Sequence, residues 1–270
     1  MRNYVLACSI GAFLLLSAVC LTLFESDATG NGIVILSSNE NQDAAEDSRY
    51  FDIGKIHCEV STRSGKSQRW FDRGLAMCHG FNHEEAVRCF ERSIQADPGM
   101  AMAYWGLAYA WGPNINNMQV DSGKIGQAAS AIQLAKLHSH KCTVWERDVI
   151  DAMAKRYTVP VPQERAELNQ AYAAAMRSVY AKHDNHPLVV SLFAEALMDL
   201  RPWKLWNADG TTAPETPEIV STIEAGLKRW PDNQQAIEAD QAFVKLHGRH
   251  NLFTLVPSPQ LSFRRLRRDA

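Results

Sequence analysis

Apolar and polar positions divide this chain into three regimes. Tyr4 to Phe24 is an unbroken uncharged run. From Glu25 to about Ser64 the chain is rich in Ser, Asn, Asp and Glu, interrupted by Gly32-Ile33-Val34-Ile35-Leu36, and the stretch reads as a solvated tether. Beyond Gly65 apolar residues recur at spacings of three and four, the signature of helical faces. Residues 67–79 place Trp70, Phe71, Gly74, Leu75 and Cys78 on one face and stop at Gly80-Phe81. Asn82 then caps a second helix, with Glu85 placed to reach back to it, and Ala86, Phe90, Ser93 and Ile94 form its inner face as far as Asp97-Pro98. A third helix presents Met102, Tyr104, Trp105, Leu107, Ala108 and Trp111 before the Gly112-Pro113 break. Its partner spans Ser122 to about Leu137. Thr143 and Glu146 form a second capping box that opens a helix to Tyr157. Residues 163–183, 187–200, 216–229 and 234–247 complete the series, the third of these opened by Thr216-Pro217. No sheet is predicted, so the fold class is all-α, preceded by one apolar amino-terminal helix.

That first run has about 20 residues, enough to span a bilayer as a helix. It equally suits a cleaved signal peptide, because Ser17-Ala18-Val19-Cys20 ends it in mostly small residues. Arg2 precedes the run while Glu25 and Asp27 follow it, an order that leaves the body outside the cytoplasm, membrane-anchored or secreted. Cys58, Cys78, Cys89 and Cys142 lie in the body with no C-x-x-C pair, which gives no support to zinc-ribbon or thioredoxin-like chemistry. The 28 basic and 30 acidic residues nearly cancel, so no nucleic-acid partner is expected, and the Arg264 to Arg268 cluster reads as a solvated tail.

The chain repeats itself. Trp70 and Tyr104, Phe71 and Trp105, Gly74 and Ala108, and Met77 and Trp111 are each 34 residues apart. That is the tetratricopeptide period. Trp70, Gly74, Ala86, Phe90, Ser93 and Pro98 follow the spacing of that family, which the chain resembles over residues 66–232. The runs Gly80-Phe81-Asn82-His83-Glu84-Glu85-Ala86 and Gly112-Pro113-Asn114-Ile115-Asn116 are similar to those of bacterial tetratricopeptide-type proteins of undefined activity. The resemblance implies a short right-handed solenoid of stacked antiparallel helix pairs over 66–247, with 67–100 and 101–137 as its best units. Residues 1–24 are then the signal peptide or anchor, 25–65 a linker and 248–270 a tail.

The same resemblance implies a protein-binding scaffold, with first helices lining a concave groove. Phe71, Leu75, Met102, Trp105 and Tyr109 fall on that side, where they would either receive a peptide or partner helix or be covered by a neighbouring segment such as the linker. Loops from first to second helices share one edge of such a solenoid, so Asn82, His83, Asn114, Asn116, Arg201 and Trp203 are candidates for a small-ligand or metal-dependent site. Capping by the asparagines, with Trp203 closing the core, is the competing reading. His79, His83 and Glu84 are usable metal ligands, but Gly80 separates the histidines and no H-E-x-x-H pattern exists. Without a G-x-S-x-G, phosphate-loop or dinucleotide motif, no catalytic residue, metal or cofactor is assigned.

Overall fold

The computed structural model describes residues 56–158 and 165–231. The expected amino-terminal helix, most of the tether, the 234–247 helix and the tail lie outside these residues. Eight α-helices occur among the described residues: α1 (Gly65–His79), α2 (His83–Ala96), α3 (Ala101–Trp111), α4 (Ser122–His138), α5 (Val144–Ala154), α6 (Ala166–His183), α7 (Pro187–Met198) and α8 (Thr216–Arg229). No strand occurs among them, only two isolated bridges at Asn114–Asn117 and Trp206–Thr212. The described body is all-α.

Local chemistry sets the helix ends. Ser64 caps α1 by accepting from the Ser67 amide, Asn82 caps α2 by accepting from the Glu85 amide, and Thr143 and Glu146 close a full capping box on α5. The predicted helix to Tyr157 ends earlier, at Ala154. There the Lys155 and Arg156 amides bond to Ala152 and Met153 in a tighter last turn, which carries Arg156 into the interior. Each helix packs on the next in sequence, and α3 also touches α1 and α5. Ala101 to Ala110 are all buried, so α3 has no solvent stripe and forms the middle of the packing. Nearly all of α7 is likewise enclosed. The four body cysteines are buried thiols.

One packing device ties the first three helices together. A Cβ built on Gly74 of α1 or on Gly106 of α3 would lie 2.5 Å from the Phe90 ring of α2. A side chain at either position would force the ring to shift, and the two glycines form a notch occupied by the fully buried ring. Phe71 adds a tilted ring contact to Phe90 at 5.7 Å.

Residues 56–64 belong to the folded body, although their sequence reads as the end of the linker. Ile56, Cys58 and Val60 are buried in the same core as α1 and α3. Among the described residues no helix is long and apolar enough to cross a membrane.

Gly106→Ala should destabilise the fold by about 1–3 kcal/mol in chemical denaturation, despite the better helix propensity of alanine, because the new methyl meets the Phe90 ring. In the background of Phe90→Leu the same substitution should cost less, and strict additivity of the two changes would argue against the notch.

Candidate functional site

The five side chains expected to line an open groove are packed inside the fold. Phe71, Leu75 and Trp105 have no exposed surface, Met102 has almost none, and Tyr109 is 8% exposed. The reason is the all-round burial of α3: Trp105 stacks on Tyr109 at 5.3 Å, and Tyr109 turns its hydroxyl to Glu195 of α7. As an exposed aromatic surface the groove is corrected to core.

Beside that core lies an extended segment. Ile56, Cys58 and Val60 point inward while His57 and Glu59 point out, the period-two alternation of an extended chain. Its backbone is held by helix side chains. Asp72 Oδ1 accepts from the Cys58 amide at 3.1 Å, Gln68 Oε1 accepts from the Val60 amide at 3.1 Å, and Gln68 Nε2 donates to the Cys58 carbonyl at 2.8 Å. Glu146, at the start of α5 and fully buried, accepts from the Ser61 amide at 2.6 Å and from its hydroxyl at 2.5 Å. Both Thr143 groups bond to the same carboxylate. Burial pushes the Cys58 thiol well above its usual range, so it acts as a small apolar filler.

A second cluster joins α3, α6, α7 and the end of α5. Tyr109 donates to Glu195 Oε2 at 2.6 Å, and Arg156 forms a buried ion pair with Asp199 at 2.5 Å. The Arg156 guanidinium also lies over the Tyr172 ring, 4.8 Å from its centroid. Burial first, and then the nearby Asp199 charge, raise the Glu195 carboxyl above the ordinary carboxylate range. Burial raises Asp199 as well, opposed by Arg156. Three buried polar atoms, Asp199 Oδ1, Arg156 Nε and Trp105 Nε1, have no protein partner. Arg156, Tyr172, Glu195 and Asp199 were not candidates in the sequence, whereas Tyr109 and Trp105 were expected in the groove. The available signal was a pair of carboxylates four residues apart, hence on one face of an otherwise apolar helix.

The loop-edge candidates are mostly engaged locally. Asn82 caps α2. Asn114 is buried and accepts from the Asn116 and Asn117 amides, which leaves Asn116 exposed at the turn. Arg201 pairs with Glu215 at 2.7 Å. Both His83 ring nitrogens lack partners, and burial together with the Lys124 charge lowers its pKa. Trp203 does not close the core: it is 57% exposed, and Leu205 fills the buried position instead. Phe81 and Trp203 are the non-glycine residues at positive φ among the described residues, at 59° and 64°. Phe81 occupies the left-handed position of a Schellman ending on α1, shown by the bonds Phe81 N to Cys78 O and Asn82 N to Met77 O. Trp203 follows Pro202 in a turn closed by Lys204 N to Arg201 O, with the Pro and positive-φ order of a type II turn.

Among the described residues, no three His, Cys, Asp or Glu side chains converge as a metal site. Comparison of the chain with protein families, curated proteins and solved structures finds no match.

The raised Glu195 carboxyl has a measurable consequence. The folded state holds a proton that the unfolded chain releases, so the stability from this group is present below the ordinary carboxylate range and is lost as pH rises from about 4 toward neutrality. Relative to Glu195→Gln, the unmodified chain should lose on the order of 2 kcal/mol over that range in denaturation at stepped pH. Parallel curves would contradict this assignment.

Proposed function

We propose that this chain is a tetratricopeptide-type scaffold that binds a peptide or partner helix outside the cytoplasm, rather than a catalyst. The repeat reading draws support from the helix pairs that follow one another in contact and from the 34-residue relation between α1 and α3. The glycine notch supports it further, since a ring held between small residues of two first helices sets the spacing from one pair to the next. Stacked in this way, the pairs form a short right-handed solenoid. The extracytoplasmic assignment rests on the order of charges around the apolar amino-terminal run.

The observation that carries the binding role is the placement of Phe81 and Trp203. Backbone geometry at both positions favours glycine, yet each holds an aromatic residue, 38% and 57% exposed. A non-glycine residue in the left-handed region costs on the order of 1 kcal/mol or more, and exposed aromatic surface adds no compensating burial. Aromatic side chains are frequent energetic anchors of protein interfaces. Both residues sit on loops that connect the first helix of a pair to its second, the shared edge of a solenoid.

Phe81→Gly and Trp203→Gly should each raise the unfolding free energy, by about 1 kcal/mol, while weakening partner binding. Trp203→Asp should reduce binding by about 30-fold or more at an unchanged melting temperature, read by quantitative cross-linking and capture from envelope extracts. The same partners recovered at the same yield by Phe81→Gly, Trp203→Gly and Trp203→Asp would reject the edge as the binding surface.

A further inference from the structure

The seat of residues 56–61 has the properties of a peptide-binding channel that already holds a peptide. Recognition runs through the backbone: two amides and a carbonyl are read by Asp72 and Gln68, and the Ser61 amide by Glu146. Such contacts accept any extended sequence. Selectivity falls to the three inward side chains, Ile56, Cys58 and Val60, to the Ser61 hydroxyl on Glu146, and to the His57 ring, whose Nδ1 lies 2.8 Å from Asp72 Oδ2.

Neither helix that forms the seat needs its occupant in order to begin. α1 is capped by Ser64, which accepts from the Ser67 amide. α5 is capped within its own box, where Thr143 donates to Glu146 through both amide and hydroxyl. Asp72 also keeps a bond from Gln68 Nε2, one turn away on α1, at 2.9 Å. The segment itself lies in no helix or sheet. Its departure therefore uncovers a channel without removing a helix end.

We propose that residues 56–61 occupy this channel in cis and exchange with a partner peptide of the same chemistry: an extended strand with modest apolar side chains at alternate positions, followed directly by a serine. This rests on the scaffold reading and adds a second contact surface, distinct from the Phe81 and Trp203 edge, with the chain's own segment as the competitor that sets its availability.

The probe is a fluorescent peptide with the sequence of residues 56–64 carrying Cys58→Ala, titrated against the full chain and against full-length Val60→Asp, in which a charge expels the cis segment. Anisotropy should show at least tenfold tighter binding to Val60→Asp than to the unmodified chain, and at least tenfold weaker binding when the peptide also carries Ser61→Ala. Equal, weak binding to both chains, with unchanged far-ultraviolet circular dichroism of Val60→Asp, would overturn the proposal. Should Val60→Asp fail to fold, hydrogen exchange on the unmodified chain decides. Exchange at the Cys58, Val60 and Ser61 amides at least 100-fold faster than in α3 supports an exchangeable segment, and exchange as slow as in α3 overturns it. If Trp203→Asp abolishes partner capture while the channel never accepts peptide, the scaffold reading stands and this inference falls.

Discussion

The Phe90 ring between Gly74 and Gly106 is the contact on which the rest of the body depends. A ring filling a notch between two helices fixes their separation more sharply than apolar burial in general, because either glycine would clash with it at 2.5 Å if it carried a methyl group. That constraint sets α1 against α3. Once α3 is enclosed on every side, its residues serve as core for several neighbours: Trp105 stacks on Tyr109, whose hydroxyl donates to Glu195 of α7, and the Ala108 carbonyl accepts from Tyr157 at 2.7 Å. The groove drawn from the sequence is filled for this reason.

Polar groups then do what apolar packing alone does not. Glu146 joins the amino end of α5 to the extended segment, with every contact to a carboxylate oxygen coming from an N–H or O–H donor. Arg156 and Asp199 tie the end of α5 to the end of α7 through an ion pair with almost no exposed surface. A pair buried this deeply is costly to break, since removing one partner strands the other charge.

The helices were legible because their causes are local: capping residues, three-and-four periodicity, and breaks at Gly and Pro. Gly74 was also readable as a close approach of helices, since a small residue recurs 34 positions later at Ala108. What sequence spacing does not contain is curvature. Whether Phe71, Trp105 and Tyr109 face a partner or another part of the chain depends on how far α7 and residues 56–61 fold back, which is a sum of contacts distant in sequence such as Tyr109 to Glu195 and Ser61 to Glu146. The extended segment was hidden for a related reason. Three inward side chains among polar neighbours make too short a pattern to separate from a tether. The positive φ of Phe81 and Trp203 was equally invisible, since nothing in an aromatic side chain announces a backbone position suited to glycine.

The most direct measurement is nuclear Overhauser contact between the Phe90 ring protons and the glycine α-protons in the isotope-labelled chain. Cross-peaks from the ring to the α-protons of both Gly74 and Gly106 are predicted, because both glycines approach the same Cδ1, Cε1 and Cζ edge of the ring. A contact to Gly74 alone, within the first hairpin, would contradict the interlock that sets α1 against α3.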